Sequence, residues 1–289
     1  MDKFTATYVS HSSISTFLSC PRAYFLKNVY KDPVTKHKIK IMSPPLALGQ
    51  AVHEVIESLS EIKTDLRFKT PLLEKFETVW KKLSGKNGGF WDKDTEFKYF
   101  TRGQAMLSRV TSNPGPVGEL AIKINQDLPQ YWLSEKDNII LCGKLDWLKY
   151  YPDTDTVEII DFKTSKYEES DDSLQLPIYH LLATHCQSRP VTAASYWYLE
   201  SSDTLTPKQL PDLVESEAKI LKIAQKLKLA RALGKFDCPE GEAGCRDCRD
   251  YEKVLRGEAE YVGQDDYKAD VYILKKETDS SMSVESKIL

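Results

Sequence analysis

The stretch from Gly143 to Thr164 constrains the fold more than any other part of the chain. Its flanks, Gly-Lys-Leu-Asp-Trp-Leu-Lys and Val-Glu-Ile-Ile-Asp-Phe-Lys-Thr, are apolar and β-branched, and Tyr151-Pro152-Asp153-Thr154-Asp155 between them is a run of turn formers. The pattern predicts two neighbouring strands joined as a hairpin. Val157-Glu158-Ile159-Ile160 reads as a central strand, and charged residues at the end of a buried strand need a reason to be there. Asp161 and Lys163, two apart, point to one face, and Asp146 offers a second carboxylate from the neighbouring strand. Hard divalent cations take oxygen ligands, so the two carboxylates could hold Mg²⁺ while Lys163 holds an attacking water or a phosphate oxygen. These are the minimal parts of a hydrolytic phosphodiester site. The plainer alternative is a same-face ion pair on a solvated strand end.

Other segments carry chemistry of their own. Gln175 and Tyr179 are four apart, so a helix starting near Asp172 sets them one turn apart on one face. A glutamine can bond phosphate or base edges and a tyrosine can stack on an unpaired base; the alternative is a core helix with a buried Tyr. Pro177 fits only in the first turn or at a kink. His53 lies on an expected helix from Leu48 to Ser60, and a lone helix histidine is otherwise a core or solvated residue. Of six cysteines, Cys142 and Cys186 sit in apolar strand and helix settings and read as inert core. Nothing resembling a secretory signal precedes residue 10, so a reducing compartment is expected, the cytoplasm or nucleoid, without a disulfide framework.

Taken in order, these residues resemble the PD-(D/E)xK nucleases, in particular the RecB-type branch of CRISPR adaptation nucleases and helicase-nuclease subunits of recombinational repair. The resemblance spans roughly residues 11 to 250. It is carried by Ser13-Ile14-Ser15 leading to Cys20-Pro21-Arg22-Ala23-Tyr24, by Gly49 through His53, by Asp161-Phe162-Lys163, by Gln175 through Tyr179, and by Cys238, Cys245 and Cys248. It implies an α/β domain of restriction-endonuclease-like type, a mixed central sheet flanked by helices. It further implies Mg²⁺ or Mn²⁺ held by His53, Asp146, Asp161 and the Phe162 carbonyl, Lys163 as catalytic lysine, and Gln175, Tyr179 and Arg22 toward DNA. Glu119, on an expected strand from Val117 to Asn125, is an accessory carboxylate or simply a strand-face acid. Cys20, Cys238, Cys245 and Cys248 would hold a 4Fe-4S cluster of structural role. The branch places a third cysteine about six residues after its Cys-x-x-Cys, where this chain has Val254, and the extra cysteine lies upstream at Cys238. An altered cluster, a four-cysteine Zn²⁺ site and an empty site all remain open.

The implied activity is that of a DNA exonuclease acting on single strands or ends, in repair, recombination or CRISPR spacer acquisition. The alternatives are a silent or docking-activated DNA-binding subunit of a helicase-nuclease or integrase complex, and an RNA substrate. No Gly-x4-Gly-Lys-Ser/Thr loop occurs, so unwinding would need another chain. A formal charge of -3 and a pI near 6.0 argue against indiscriminate coating of nucleic acid. Local basic tracks are candidates instead: Arg22 to Lys40, and Lys219, Lys222, Lys226, Lys228 and Arg231 on one helix. The expected organisation is one domain over 1–275, with a helical insertion at 61–115, a cysteine segment at 236–250 and a disordered tail at 276–289. Within it, helices are expected from Ser13 to Val29, Pro71 to Leu83, Thr95 to Val110 and Pro211 to Leu233, and strands over Ile139 to Tyr150, Thr156 to Thr164 and Val191 to Leu199. No apolar run is long enough to cross a bilayer.

Overall fold

The structure, a computed structural model, describes residues 2–124, 126 and 128–274; the expected tail at 276–289 lies outside them. In chain order the elements are β1 (Thr7–Val9), α1 (His11–Ser19), α2 (Pro21–Tyr24), β2 (Ile39–Ile41), α3 (Pro44–Ser58), α4 (Leu72–Lys82) and α5 (Lys93–Ser112). They continue with β3 (Ala121–Ile122), β4 (Gln130–Ser134), β5 (Ile139–Cys142), β6 (Trp147–Tyr151), β7 (Thr156–Lys163), α6 (Gln175–Cys186), β8 (Val191–Tyr198) and β9 (Thr206–Lys208). Last come α7 (Leu213–Leu233), α8 (Arg246–Leu255), β10 (Ala259–Gln264) and β11 (Asp270–Leu274).

A five-stranded mixed sheet, β3-β6-β7-β8-β9, holds the centre, so the α/β class with a mixed central sheet is observed. β6 and β7 form the expected antiparallel hairpin, and β7 then pairs in parallel with β8 through the crossover helix α6. Every residue of β7 from Val157 to Lys163 is buried, as a strand covered on both faces must be. On one side lie α3, α4 and α5, packed through Leu48, Val52, Phe76 and Leu107 onto Trp147, Phe162 and Trp197. Gly103 permits the close crossing of α4 and α5, since a Cβ there would stand 2.2 Å from the Phe76 ring. A second core joins the small sheet β1-β5-β4 to α1, α6 and α7 through Val9, Ile14, Leu141, Ile178 and Leu227. A third sheet, β10-β11-β2, joins residues 259–274 to the segment just ahead of α3.

Several expected elements change form. The first helix begins earlier, capped by Ser10, and does not run to Val29. Pro21 pushes Cys20 into an extended conformation (φ -159°, ψ 112°), which ends α1; α2 follows and passes into a π-helical turn at Phe25–Val29. The strand expected over Ile139 to Tyr150 is two strands in two different sheets, broken at residues 143–146, so Asp146 stands in the break immediately before β6. The strand expected over Val117 to Asn125 shrinks to β3, preceded by a 3-10 turn at Gly115–Gly118. That turn is clamped by Arg67, which is 4% exposed. Its guanidinium donates to the carbonyls of Leu59 (3.0 Å), Ile62 (3.1 Å), Val117 (2.8 Å) and Glu119 (2.6 Å), and lies 4.9 Å over the Trp147 ring. One side chain thereby ties the segment after α3 to the start of β6. No helix among the described residues is long and apolar enough to cross a membrane.

Candidate active site

At the end of β7 the structure brings together Asp146, Asp161 and Lys163 with His53 of α3. β6 pairs with β7 only as far as Ile160, leaving the next part of that edge of β7 open to side chains. The Phe162 N–H uses it, donating to Asp146 Oδ2 at 3.0 Å. N–H and C=O of one strand residue point to the same side, so the Phe162 carbonyl shares that edge with Asp146. His53 Nδ1 stands 3.4 Å from Asp146 Oδ1. Two adjacent ligands of an octahedral ion with bonds of about 2.1 Å lie about 3 Å apart, so this pair is spaced for a shared cation.

Asp161 is 2% exposed, and its Oδ2 has no hydrogen-bond donor. The Lys163 ammonium is 2.8 Å from that oxygen but off the line of a hydrogen bond, so the contact is an ion pair with a lone pair left over. A buried carboxylate oxygen without a donor, beside a second carboxylate and an imidazole, is the donor set a hard divalent cation satisfies. Burial and the charge of Asp146 push the Asp161 carboxyl up to about 7. Burial acts the same way on Asp146, yet His53 and the Phe162 amide outweigh it and its pKa falls below the ordinary value. Burial lowers His53, but Asp146 and Asp161 more than offset this and its pKa is raised.

Lys163 is held from several sides: by Asp161, by Glu169 Oε2 at 3.1 Å, by the Gln175 side-chain carbonyl, and over the Tyr196 ring at 4.8 Å. Its burial would favour the neutral amine, yet Asp161 and Glu169 overcome that and keep it an ammonium. A permanently charged ammonium cannot act as a general base; it can donate to a water or an anionic oxygen. Gln175 Nε2 donates in turn to Asp161 Oδ1 (3.2 Å) and to the Tyr179 hydroxyl (3.1 Å). Pro177 falls in the first turn of α6, where its missing N–H costs nothing.

A cleft of about 320 Å³ opens on the His53 and Asp146 side of the site, lined among others by Gln50, His53, Lys144, Asp146, Phe162 and Tyr267. A neighbouring cleft of about 300 Å³ shares Glu57, Lys144, Asp146 and Tyr267 with it. Tyr267, at the tip of the β10–β11 hairpin, is 92% exposed at their common mouth.

Not every expected residue arrives at the site. Arg22 is paired with Glu252 at 2.5 Å and lies over the Phe25 ring at 5.3 Å, so it cross-links α2 and α8. Glu119 follows the 3-10 turn rather than lying on a strand, and its carboxylate pairs with Lys149 at 2.8 Å. Of the basic tracks, Lys40 reaches the cleft, whereas Lys228 donates to the Asp137 carbonyl and Arg231 to the Tyr24 hydroxyl. Glu169, Tyr267 and Lys144 were not singled out from the sequence. Glu169 alone had a usable signal: the short link between an Asp-x-Lys strand and the Gln175 helix cannot carry its acids far from Lys163.

A second group lies where α2 meets α8. The sulfurs of Cys20, Cys238, Cys245 and Cys248 all lie within 4.8 Å of one another. Among the described residues they are the group of three or more metal-binding side chains drawn that close; His53, Asp146 and Asp161 are not. Burial pushes the Cys20 thiol up to about 11. The six cysteines are all free thiols. Such a four-cysteine group could bind a metal.

The family model described as the PD-(D/E)XK nuclease superfamily matches residues 8–251. A search of curated proteins gave no match.

Proposed function

The chain belongs to the PD-(D/E)XK nuclease superfamily, and from that premise we propose that it is a metal-dependent DNA exonuclease of the RecB type, acting on single strands or DNA ends. The observation that carries the reading is the end of β7: Asp161 with a buried, unsatisfied oxygen, Asp146 and His53 beside it, and Lys163 held charged two residues on. His53, Asp146, Asp161 and the Phe162 carbonyl would hold Mg²⁺ or Mn²⁺. Bound there, the ion supplies Lewis-acid polarisation of the phosphodiester and a lowered pKa for water.

The remaining work falls to the chain itself. The Phe162 amide fixes the Asp146 carboxylate, and Gln175 fixes both Asp161 and Lys163, so none of the three has to reorganise when substrate arrives. Lys163 donates to the attacking water or to a non-bridging phosphate oxygen, where an ammonium opposes the growing negative charge. Gln175 and Tyr179, read from sequence as DNA contacts, act in this arrangement as positioning residues behind the lysine. Tyr267 offers an exposed ring to an unpaired base at the cleft mouth, which favours single strands and frayed ends. The free thiols fit a reducing compartment, the cytoplasm or nucleoid. Repair, recombination and CRISPR spacer acquisition all generate such ends, and a helicase or an integrase would be the matching partner.

The test is digestion of end-labelled single- and double-stranded DNA with Mg²⁺, Mn²⁺ or EDTA, with Lys163→Ala alongside. Metal-dependent cutting lost in the variant is the expected result, and the product ladder gives polarity. Full activity in Lys163→Ala would overturn the reading. DNA binding without cutting would favour a subunit active only when docked.

A further inference from the structure

We infer that the four-cysteine group is built for one tetrahedral ion, Zn²⁺, and not for a 4Fe-4S cluster. Cys238 and Cys248 have their sulfurs 3.7 Å apart, and Cys245 and Cys248 3.9 Å apart. Four sulfurs at about 2.3 Å from a single Zn²⁺ form a tetrahedron with edges of about 3.8 Å. In a cubane each thiolate binds a different iron, so the protein sulfurs stand outside the iron framework, roughly 6 Å from one another. With all four sulfurs already within 4.8 Å, cubane loading would have to drive them apart through packed surroundings. Cys20, Cys245 and Cys248 are buried against Ala23 and Leu26, with Phe25 and Tyr251 alongside.

The backbone around the group supports the smaller occupant. Cys245 caps α8 and Cys248 lies one turn inside it, so their separation is set by helix geometry. Gly244, at φ +72°, makes the turn that delivers Cys245; a Cβ there would stand 3.3 Å from Cys248 Sγ. Two main-chain amides already donate to sulfur, Ala23 N–H to Cys20 at 3.4 Å and Cys245 N–H to Cys238 at 3.2 Å. Such bonds stabilise thiolates and orient them toward a shared ion. The sequence agrees: residue 254, where the cluster-bearing pattern has its last cysteine, is Val254, and the fourth sulfur comes instead from Cys238. Loading exchanges four S–H bonds for four Zn–S bonds and releases the protons to buffer, with no change of oxidation state.

The experiment uses the full chain purified anaerobically. Elemental and acid-labile sulfide analysis should give one zinc per chain, no stoichiometric iron and no sulfide. After chelation, titration with Co²⁺ should give the ligand-field bands of a tetrahedral thiolate site together with sulfur-to-cobalt charge transfer, saturating at one equivalent. Cys238→Ser should lose that spectrum or shift it, and if the variant does not fold, the wild-type titration still decides. A brown protein with four irons and four sulfides per chain would overturn the inference. So would wild-type protein that takes up neither zinc nor cobalt through sulfur.

Discussion

Arg67 offers the sharpest test of how the site is held, because it is a buried cation that donates to four backbone carbonyls. Arg67→Met keeps most of the volume and the contact with the Trp147 ring but removes every one of those bonds. A hydrogen bond to a charged group is worth about 1.5–3 kcal/mol, and each carbonyl left buried without a donor costs about 1–3 kcal/mol. The bonds share one guanidinium and are not additive, so a total of about 3–5 kcal/mol is expected. With a urea dependence of about 3 kcal/mol per M for a chain of this size, the unfolding midpoint should fall by about 1–1.7 M. Arg67→Lys should recover only part of that, since an ammonium cannot span carbonyls on both sides of the clamp. Equilibrium urea unfolding in EDTA, followed by tryptophan fluorescence, measures both variants. A midpoint shift below about 0.3 M for Arg67→Met, with an unchanged slope, would refute the clamp.

Further outcomes follow from the site. Asp161, pushed up to about 7 in the folded chain from an ordinary 3.8, favours folding fully below pH 4, and that contribution is lost as pH rises through about 7. The Tm in EDTA should therefore fall between pH 5 and 8, and Asp161→Asn should flatten the slope; an equal slope in both proteins contradicts the assignment. Glu169→Gln leaves Lys163 with Asp161 and Gln175, and losing one partly exposed charge partner worth about 1 kcal/mol should lower kcat about fivefold with little change in KM. Tyr267→Ala should raise KM for single-stranded DNA about tenfold and spare kcat, since base stacking is worth about 1–3 kcal/mol. His53→Ala should weaken Mn²⁺ binding measured by calorimetry while leaving Co²⁺ titration of the four cysteines unchanged.

The parts of the fold readable from sequence were those with a local period. β7, expected over Thr156 to Thr164, runs from Thr156 to Lys163, and α7, expected from Pro211 to Leu233, runs from Leu213 to Leu233. β1 and β2 have three residues each, too few for a period, and exist because distant partners in β5 and β11 bond to them. The stretch from Ile139 to Tyr150 reads as one strand, but it changes sheet at residues 143–146, where Gly143, Lys144 and Asp146 interrupt the apolar pattern. At the site, His53, Asp146, Asp161, Lys163 and Gln175 were legible because they sit in short spaced motifs. Glu169 and Tyr267 were not, because chain folding alone brings them there. Nothing in the sequence around Arg67 marks it as special, and only its burial and its carbonyl partners reveal it as a clamp.

The cysteine group also orders events in time. Cys20 leaves the ribosome first, and its three partners follow only after Cys238, 218 residues later (238 − 20). At roughly 5–20 residues per second, that leaves on the order of ten to forty seconds during which the first thiol has no companions. The last sheet obeys the same clock, because β2 gains its partner only when β11 has been made. A chain that stops short of Cys238 can form the hairpin that carries Asp161 and Lys163, yet it lacks three of the four thiols that meet where α2 and α8 pack.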